Sequence, residues 1–204
     1  MTENIGIFGG AFNPPHLGHV SIAEKAEKQF AFDRLVWIPT AQPPHKTSRA
    51  LAAAEDRLAM VRALTVGHPK WEVSDAEISR GGVSYTFETL REFRRAEPRA
   101  KLFLIIGSDQ LNQFGHWKNP AEISREATLV VYPRPGSPVP RSTAALSHQI
   151  GAPLSYLVVR GQETTCSSSA IRKSVSRGID VSGLVPPAVL AYIQAHGLYR
   201  EDLG

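Results

Sequence analysis

The chain has 204 residues, of which 42% are hydrophobic and 21% are charged, and its net charge at pH 7 is +4. This length suffices for one α/β domain with a buried core, and we expect residues 1–204 to form a single domain. The lone cysteine, Cys166, excludes an internal disulfide framework and a cysteine-cluster metal site. No apolar run reaches the ~20 residues that span a bilayer. The first four residues are not basic, so we expect no signal peptide and a cytoplasmic location.

Apolar β-type runs alternate with helical patterns along the chain. This alternation predicts βαβ units, and hence a Rossmann-like, doubly wound α/β fold with a mainly parallel sheet and helices on both faces. Ligands of such sheets bind at the carboxyl ends of the strands, near the switch point. The predicted strands cover residues 5–8, 35–38, 71–73, 102–106, 129–132 and 156–159, and the predicted helices cover about 16–30, 55–66, 86–96, 169–177 and 187–196.

The first predicted strand runs directly into a glycine turn and a helix start. Gly9-Gly10 and Asn13-Pro14-Pro15 interrupt any regular element, and a helical pattern follows. His16 and His19 are three residues apart and therefore share one helix face. Unpaired N–H groups at a helix start favour anions, and glycine lets a phosphate approach the backbone. The segment therefore predicts a polyphosphate site with two imidazoles directed at it.

Single parts of this segment carry little information. A Gly-Gly turn is common, and two histidines at helical spacing are more often surface or metal residues than catalytic ones. The segment matches neither a Walker A loop nor a G-x-G-x-x-G fingerprint. The ordered combination within twenty residues is what favours a phosphate site. Gly107 also follows a predicted strand, so both glycine turns should meet at one edge of the sheet.

The order of motifs along the chain resembles the nucleotidyltransferases with a His-x-Gly-His motif. More narrowly, it resembles the bacterial nicotinate-nucleotide adenylyltransferases over nearly the whole chain. The N-terminal motif is specific to the superfamily, and the later motifs indicate the narrower family. The matching segments are residues 9–19, 38–39, 43–46, 84–86, 105–109, Trp117, 134–136, 167–172 and 185–200.

The resemblance implies transfer of the adenylyl group of ATP to nicotinate mononucleotide, with release of pyrophosphate, as a step of NAD biosynthesis. It implies Mg²⁺ carried with ATP and no metal site of the protein's own. His16 and His19 would be catalytic. The ATP-binding residues would be Gly9, Gly10, Ala11, Phe12, His16, His19, Gly107, Ser167, Ser169 and Arg172. The nicotinate mononucleotide-binding residues would be His45, Lys46, Tyr85, Thr86, Asp109, Trp117 and Arg134.

Several of these residues also have an ordinary structural interpretation. The serines at 167–169 fit a plain helix cap, Trp117 fits a core position as well as a ring-stacking one, and Asp109 fits a helix N-cap. His45 and Lys46 fit a solvated loop. The chain departs from the family at two positions, with Ala11 where Thr or Ser is frequent and Asn13 where Asp is frequent.

Three other functions are compatible with parts of the sequence. The first is nucleotidyl transfer to another phosphate, such as phosphopantetheine, against which the segments 43–46 and 84–86 and Trp117 argue. The second is nucleic-acid binding through the basic net charge, although aromatic residues do not interleave with basic patches. The third is zinc binding by His16, His19 and His45, which lack carboxylate or cysteine partners at ligand spacing. We therefore expect no nucleic-acid or membrane partner, and a homo-oligomer stays open.

Overall fold

Six parallel strands form one sheet in the computed structural model, which describes residues 2–43, 51–161 and 166–200. The strand order is β3-β2-β1-β4-β5-β6, and every neighbouring pair is parallel. The predicted doubly wound α/β fold is confirmed, and all six predicted strands are present. The strands are β1 (Asn4–Gly10), β2 (Arg34–Pro39), β3 (Trp71–Val73), β4 (Lys101–Gly107), β5 (Ala127–Tyr132) and β6 (Tyr156–Val158).

The helices lie between and after these strands. The five predicted helices are present, one with its predicted ends and four with one or both ends shifted by one residue, whereas four short helices and a 3₁₀ turn were not predicted. Helices of five to seven residues show too little periodicity to stand out in a sequence. The described helices are α1 (Leu17–Phe30), α2 (Ala54–Thr65), α3 (Ala76–Arg80), α4 (Thr86–Ala96), α5 (Ser108–Asn112), α6 (Pro120–Glu126), α7 (Ala144–Ile150), α8 (Ser168–Ser176) and α9 (Pro187–Ala195), with the 3₁₀ turn at Phe114–His116.

Both faces of the sheet are covered, because the central strands are apolar at successive positions and must bury both sides. Phe8 and Trp37 face one core, which α1, α2, α8 and α9 complete. Ile7 and Ile38 face a second core, which α4, α5, α6 and α7 complete. None of the described helices is long and apolar enough to cross a membrane.

The strand order reverses between β1 and β4, which lie side by side in the sheet. Gly10 ends β1 and Gly107 ends β4, so both glycine segments lie at the carboxyl edge, as predicted. The prediction that Gly9-Gly10 form a turn is wrong, because both glycines are strand residues that pair with Ile38 and Pro39 of β2. Such a switch point is where an open parallel sheet leaves a crevice for ligands. The fold therefore brings the first motif and the end of β4 to the same place.

Candidate active site

Two stacked histidines occupy the start of α1, directly after the carboxyl end of β1. His16 is the N-cap residue and His19 lies in the first helical turn, and their ring centroids are 3.7 Å apart. Each backbone N–H donates to the Nδ1 atom of the other ring, at 3.2 Å for His16 N and 3.3 Å for His19 N. The two side chains thus cap the helix reciprocally, and only 4% of His16 and 9% of His19 is exposed.

These hydrogen bonds define the protonation state of the pair. An Nδ1 atom that accepts a hydrogen bond leaves the proton of a neutral imidazole on Nε2. Burial, followed by the charge of Arg134, lowers the pKa of His16 to about 4. Burial, the His16 ring and Arg134 hold the pKa of His19 well below its usual range. Both rings are therefore neutral at pH 7, and each keeps one Nε2–H donor for a ligand.

The buried histidine pair makes stability depend on pH. Between its unfolded pKa of 6.5 and its folded pKa of about 4, His16 is protonated mainly in the unfolded chain. Stability is therefore fully present above pH 6.5 and declines as pH falls through 4, by about 3 kcal/mol from this group. Urea unfolding at pH 7, 5.5 and 4 should show a shallower decline for His16→Gln than for wild type. Parallel declines in the two proteins would contradict the neutral, buried assignment.

Aromatic rings pack against His19. The ring of Phe12 lies 5.1 Å from that of His19. Phe8 packs against both rings, and Trp37 packs against Phe8 and Phe12. Phe12 is buried and adopts a left-handed backbone conformation with φ of 46°, which directs its ring into the core. Its side chain is therefore not available to the predicted nucleotide. Sequence reasoning did not identify Trp37, because an apolar strand residue carries no signal of its neighbours.

The glycine segment before the histidines leaves room for a ligand. A Cβ atom placed on Gly9 would meet no other heavy atom within 4 Å, so the glycine is not needed to avoid a clash within the protein. Its backbone is instead open to a group that lies close to the chain. This geometry fits the predicted phosphate contact of residues 9–11.

The predicted second anion site packs against the first. Ser167 caps α8 by accepting a hydrogen bond from Ala170 N at 3.2 Å, and Ser168 Oγ donates to the carbonyl of Pro14 at 2.9 Å. Arg172 Nη1 donates to the carbonyl of Asn13 at 2.8 Å, and its Nη2 lies 3.4 Å from Ser169 Oγ. The start of α8 therefore adjoins the turn that leads to His16.

Asn13 joins this turn to distant parts of the chain. Its Oδ1 atom accepts hydrogen bonds from the phenol of Tyr199 at 2.8 Å and from Ala52 N at 3.1 Å. Through these contacts the Asn13 side chain holds the turn against both segments. Tyr199 was noted only as part of the C-terminal motif, because 186 residues separate it from Asn13.

Arg134 and Asp109 form an ion pair at the end of β4. Arg134 Nε lies 3.4 Å from Asp109 Oδ1, and Arg134 Nη2 donates to the Tyr132 hydroxyl at 2.9 Å. A Cβ on Gly107 would collide with Asp109 and lie 3.0 Å from Arg134 Nε, so the pair requires a glycine there. The N-cap interpretation of Asp109 is wrong, because Gly107 is the N-cap of α5. The positive charge of Arg134 reaches both histidines.

The start of α4 lies beside the segment that contains Trp117, which brings Tyr85 and Thr86 near it. α4 begins at Thr86, and no described side chain caps its first amides. Lys118 Nζ lies 5.7 Å from the ring centroid of Tyr85, which places the Trp117 segment beside this helix start. Trp117 is half-buried, and its ring centroid is 5.5 Å from that of Phe114. His45 and Lys46 lie outside the described residues.

The described residues offer a metal ion few ligands. Among residues 2–43, 51–161 and 166–200, no group of three or more His, Cys, Asp and Glu side chains is placed to hold one. Asp109, a carboxylate beside the end of β4, is paired with Arg134.

Comparison with known families agrees with this geometry. The Cytidylyltransferase-like family model matches residues 7–174, a range that includes both histidines and Arg172. The nicotinic acid mononucleotide adenylyltransferase of Plasmodium falciparum, solved in complex with NaAD, has the same fold, with a TM-score of 0.79 at 18% identity over 97% of each chain. The chain is therefore an enzyme of the nucleotidyltransferase class.

Curated relatives define the narrower group. A probable nicotinate-nucleotide adenylyltransferase of Salinibacter ruber is 40% identical over 96% of this chain and 97% of its own. One from a Synechococcus strain is also 40% identical, over 98% of this chain and 97% of its own. The chain belongs to the nicotinate-nucleotide adenylyltransferase family, and the resemblance predicted from its motifs is confirmed.

Proposed function

We propose that this protein transfers the adenylyl group of ATP to nicotinate mononucleotide, giving nicotinate adenine dinucleotide and pyrophosphate in NAD biosynthesis. The observation that carries the proposal is the pair of neutral, reciprocally capped histidines at the switch point of the sheet. Family membership supports the choice of both substrates.

The reaction needs no covalent enzyme intermediate. A phosphate oxygen of the mononucleotide attacks the α-phosphorus of ATP in line, and the bond from that phosphorus to the leaving pyrophosphate breaks. Negative charge spreads over the reacting phosphate oxygens, where preorganised donors are most effective. The Nε2–H groups of His16 and His19 would donate there. Arg172 and the first amides of α8 would bind the departing phosphates, with the backbone of residues 9–12 and Gly107 along the nucleotide.

The mononucleotide would lie on the side of Tyr85 and Trp117. Trp117 offers a ring face for the pyridine, and the uncapped start of α4 at Thr86 offers N–H groups for its carboxylate. Asp109 and Arg134 would contact the ribose and phosphate from the end of β4. His45 and Lys46 are proposed for the mononucleotide phosphate on sequence grounds alone.

Mg²⁺ would enter with ATP and would neutralise charge on its phosphates. The donor groups near the glycine segment are imidazoles, guanidinium groups and amides, which suit phosphate oxygens better than they suit Mg²⁺. The residues of this chain would therefore bind the phosphate oxygens that the ion leaves free.

The proposal extends to the domain organisation, cellular location and partners of the protein. Residues 1–204 would act as one domain in the cytoplasm, without a nucleic-acid partner. Two arginines of α4 support the last point, because they pair with glutamates of α6. Arg91 pairs with Glu122, and Arg94 Nε lies 2.9 Å from a carboxylate oxygen of Glu126. These cations are already neutralised.

Pyrophosphate release with a panel of acceptors tests the assignment. The purified protein is incubated with ATP, Mg²⁺ and one of nicotinate mononucleotide, nicotinamide mononucleotide or phosphopantetheine, and each product is identified by mass. Nicotinate mononucleotide should give the highest kcat/KM and a dinucleotide product. Turnover of phosphopantetheine alone would overturn the substrate assignment and leave the reaction class intact.

Removing Arg172 should weaken ATP binding. Its guanidinium adjoins the histidine turn and carries the only charge among the proposed contacts of α8, so Arg172→Ala should raise the KM for ATP about tenfold. A smaller decrease in kcat should follow, because the Asn13 carbonyl loses its donor. Arg177→Ala, at the exposed far end of α8, is the matched control. If ATP saturates the Arg172 variant as it does wild type, the phosphates bind elsewhere.

A further inference from the structure

Arg57 is a buried cation beneath the site, and neither the motifs nor the proposed chemistry accounts for it. It lies near the start of α2 and is only 1% exposed. Its guanidinium donates to three backbone carbonyls: Nε to Ala52 at 3.0 Å, Nη1 to Ala11 at 2.9 Å and Nη2 to Ala41 at 2.9 Å. One side chain therefore holds three separate segments of the chain.

Two of these segments border the two proposed substrates. Ala11 belongs to the glycine segment that leads to His16. Ala41 follows β2, and its N–H donates to Ser84 Oγ at 2.9 Å. Ser84 N in turn donates to the carbonyl of Gln42 at 3.0 Å, directly before Tyr85 and Thr86. Arg57 thus links, through these hydrogen bonds, the phosphate segment to the helix start proposed for the pyridine carboxylate.

The third segment connects back to the histidine turn. The carbonyl of Ala52 accepts from Arg57 Nε, and the N–H of the same residue donates to Asn13 Oδ1. Asn13 also accepts from Tyr199 and, through its carbonyl, from Arg172. Hydrogen bonds therefore run without interruption from Arg57 to the second anion site.

The charge of Arg57 suits this position. Burial lowers its pKa, whereas Tyr199 and Glu55 oppose that change, and an arginine stays protonated in proteins. All three of its hydrogen-bond acceptors are neutral carbonyls, so its positive charge is not cancelled by a bonded carboxylate. A desolvated cation behind the glycine segment adds to the positive potential for polyphosphate.

We propose that Arg57 is a positioning residue for adenylyl transfer, which fixes the ATP-phosphate segment relative to the mononucleotide segment. The inference rests on the proposed function. In-line attack requires the two phosphates to be aligned, and a small misplacement of one substrate lowers turnover strongly. Loss of Arg57 should therefore reduce kcat more than it raises either KM.

Arg34 is the matched control for a structural role. It also makes three hydrogen bonds from one guanidinium, to Glu3 at 2.8 Å, Glu72 at 3.1 Å and Glu97 at 2.5 Å. However, it begins β2 at the opposite edge of the sheet, away from the proposed site. A variant of Arg34 loses a comparable network without touching either substrate segment.

The experiment compares Arg57→Lys, Arg57→Met and Arg34→Met by melting temperature and by kcat and both KM values, well below each melting temperature. Arg57→Lys keeps the charge, but one ammonium cannot reach three carbonyls, so its kcat should fall about tenfold. The kcat of Arg57→Met should fall further, and both of its KM values should stay within about threefold of wild type. Arg34→Met should melt earlier and keep kcat within about twofold.

The positioning role would be overturned by a folded Arg57 variant that has a lowered melting temperature and the kcat of wild type. That is the result expected for Arg34→Met. If Arg57→Met is insoluble, Arg57→Lys decides between the outcomes. If the wild-type protein forms no dinucleotide from nicotinate mononucleotide, the proposed function is contradicted. If the wild type is active and the Arg57 variants are equally active, only the inference about Arg57 is contradicted.

Discussion

Replacing His19 by Ala is expected to lower kcat by roughly 10²–10³, the usual loss when a preorganised donor is removed from a reacting phosphate or oxyanion. The neutral ring has one free donor, Nε2–H, because its Nδ1 atom is committed to His16 N. The KM values should change little, because the interaction strengthens as charge develops. Steady-state kinetics with ATP and nicotinate mononucleotide measures all three constants.

The same variant should also lose stability, and a control must separate the two effects. His19 is buried against Phe8 and Phe12 and accepts the His16 N–H, so we expect a loss of about 1–2 kcal/mol. His68→Ala removes another stacked imidazole, 3.6 Å from the ring of Trp71 and ahead of β3 at the opposite edge of the sheet. That variant should keep kcat. A decrease of less than about threefold in folded His19→Ala would remove His19 from the mechanism.

The wild-type enzyme is expected to prefer nicotinate mononucleotide over nicotinamide mononucleotide by a factor on the order of 10² or more in kcat/KM. The N–H groups at the uncapped start of α4 pair well with a carboxylate. The neutral amide forms a weaker bond there and places an NH₂ group against donors. Lys118, beside Tyr85, adds a positive charge on the same side. Equal use of the two substrates would contradict the carboxylate site.

Trp117→Ala is expected to lower kcat/KM for both mononucleotides by about fivefold and to leave their ratio nearly intact. Stacking on a pyridine ring is worth ~1 kcal/mol and does not depend on the ring substituent. The half-buried Trp117 also packs on Phe114, so the melting temperature of the variant is measured alongside. A collapse of the ratio would instead mean that Trp117 also orients the carboxylate site.

Local sequence patterns predicted the architecture well. Continuous apolar runs marked the strands β4 and β5, because a strand covered on both faces has no polar alternation. Their alternation with long helices predicted the parallel order, and the glycines at the ends of β1 and β4 predicted the edge where the site lies. The same reasoning missed helices α3, α5, α6 and α7, which are too short to show helical periodicity.

The histidine site was only partly determined by local sequence. The spacing of His16 and His19 indicated a shared helix face, but reciprocal capping and neutral rings follow from their burial against Phe12 and the nearby Arg134. Arg57 shows the limit most clearly. In the sequence it is one of two arginines on α2, and only the folded chain surrounds it with three carbonyls from separate segments. Periodicity indicates which face of a helix or strand is apolar. The partners of a buried charge, in contrast, are residues distant in sequence that come together only when the chain folds.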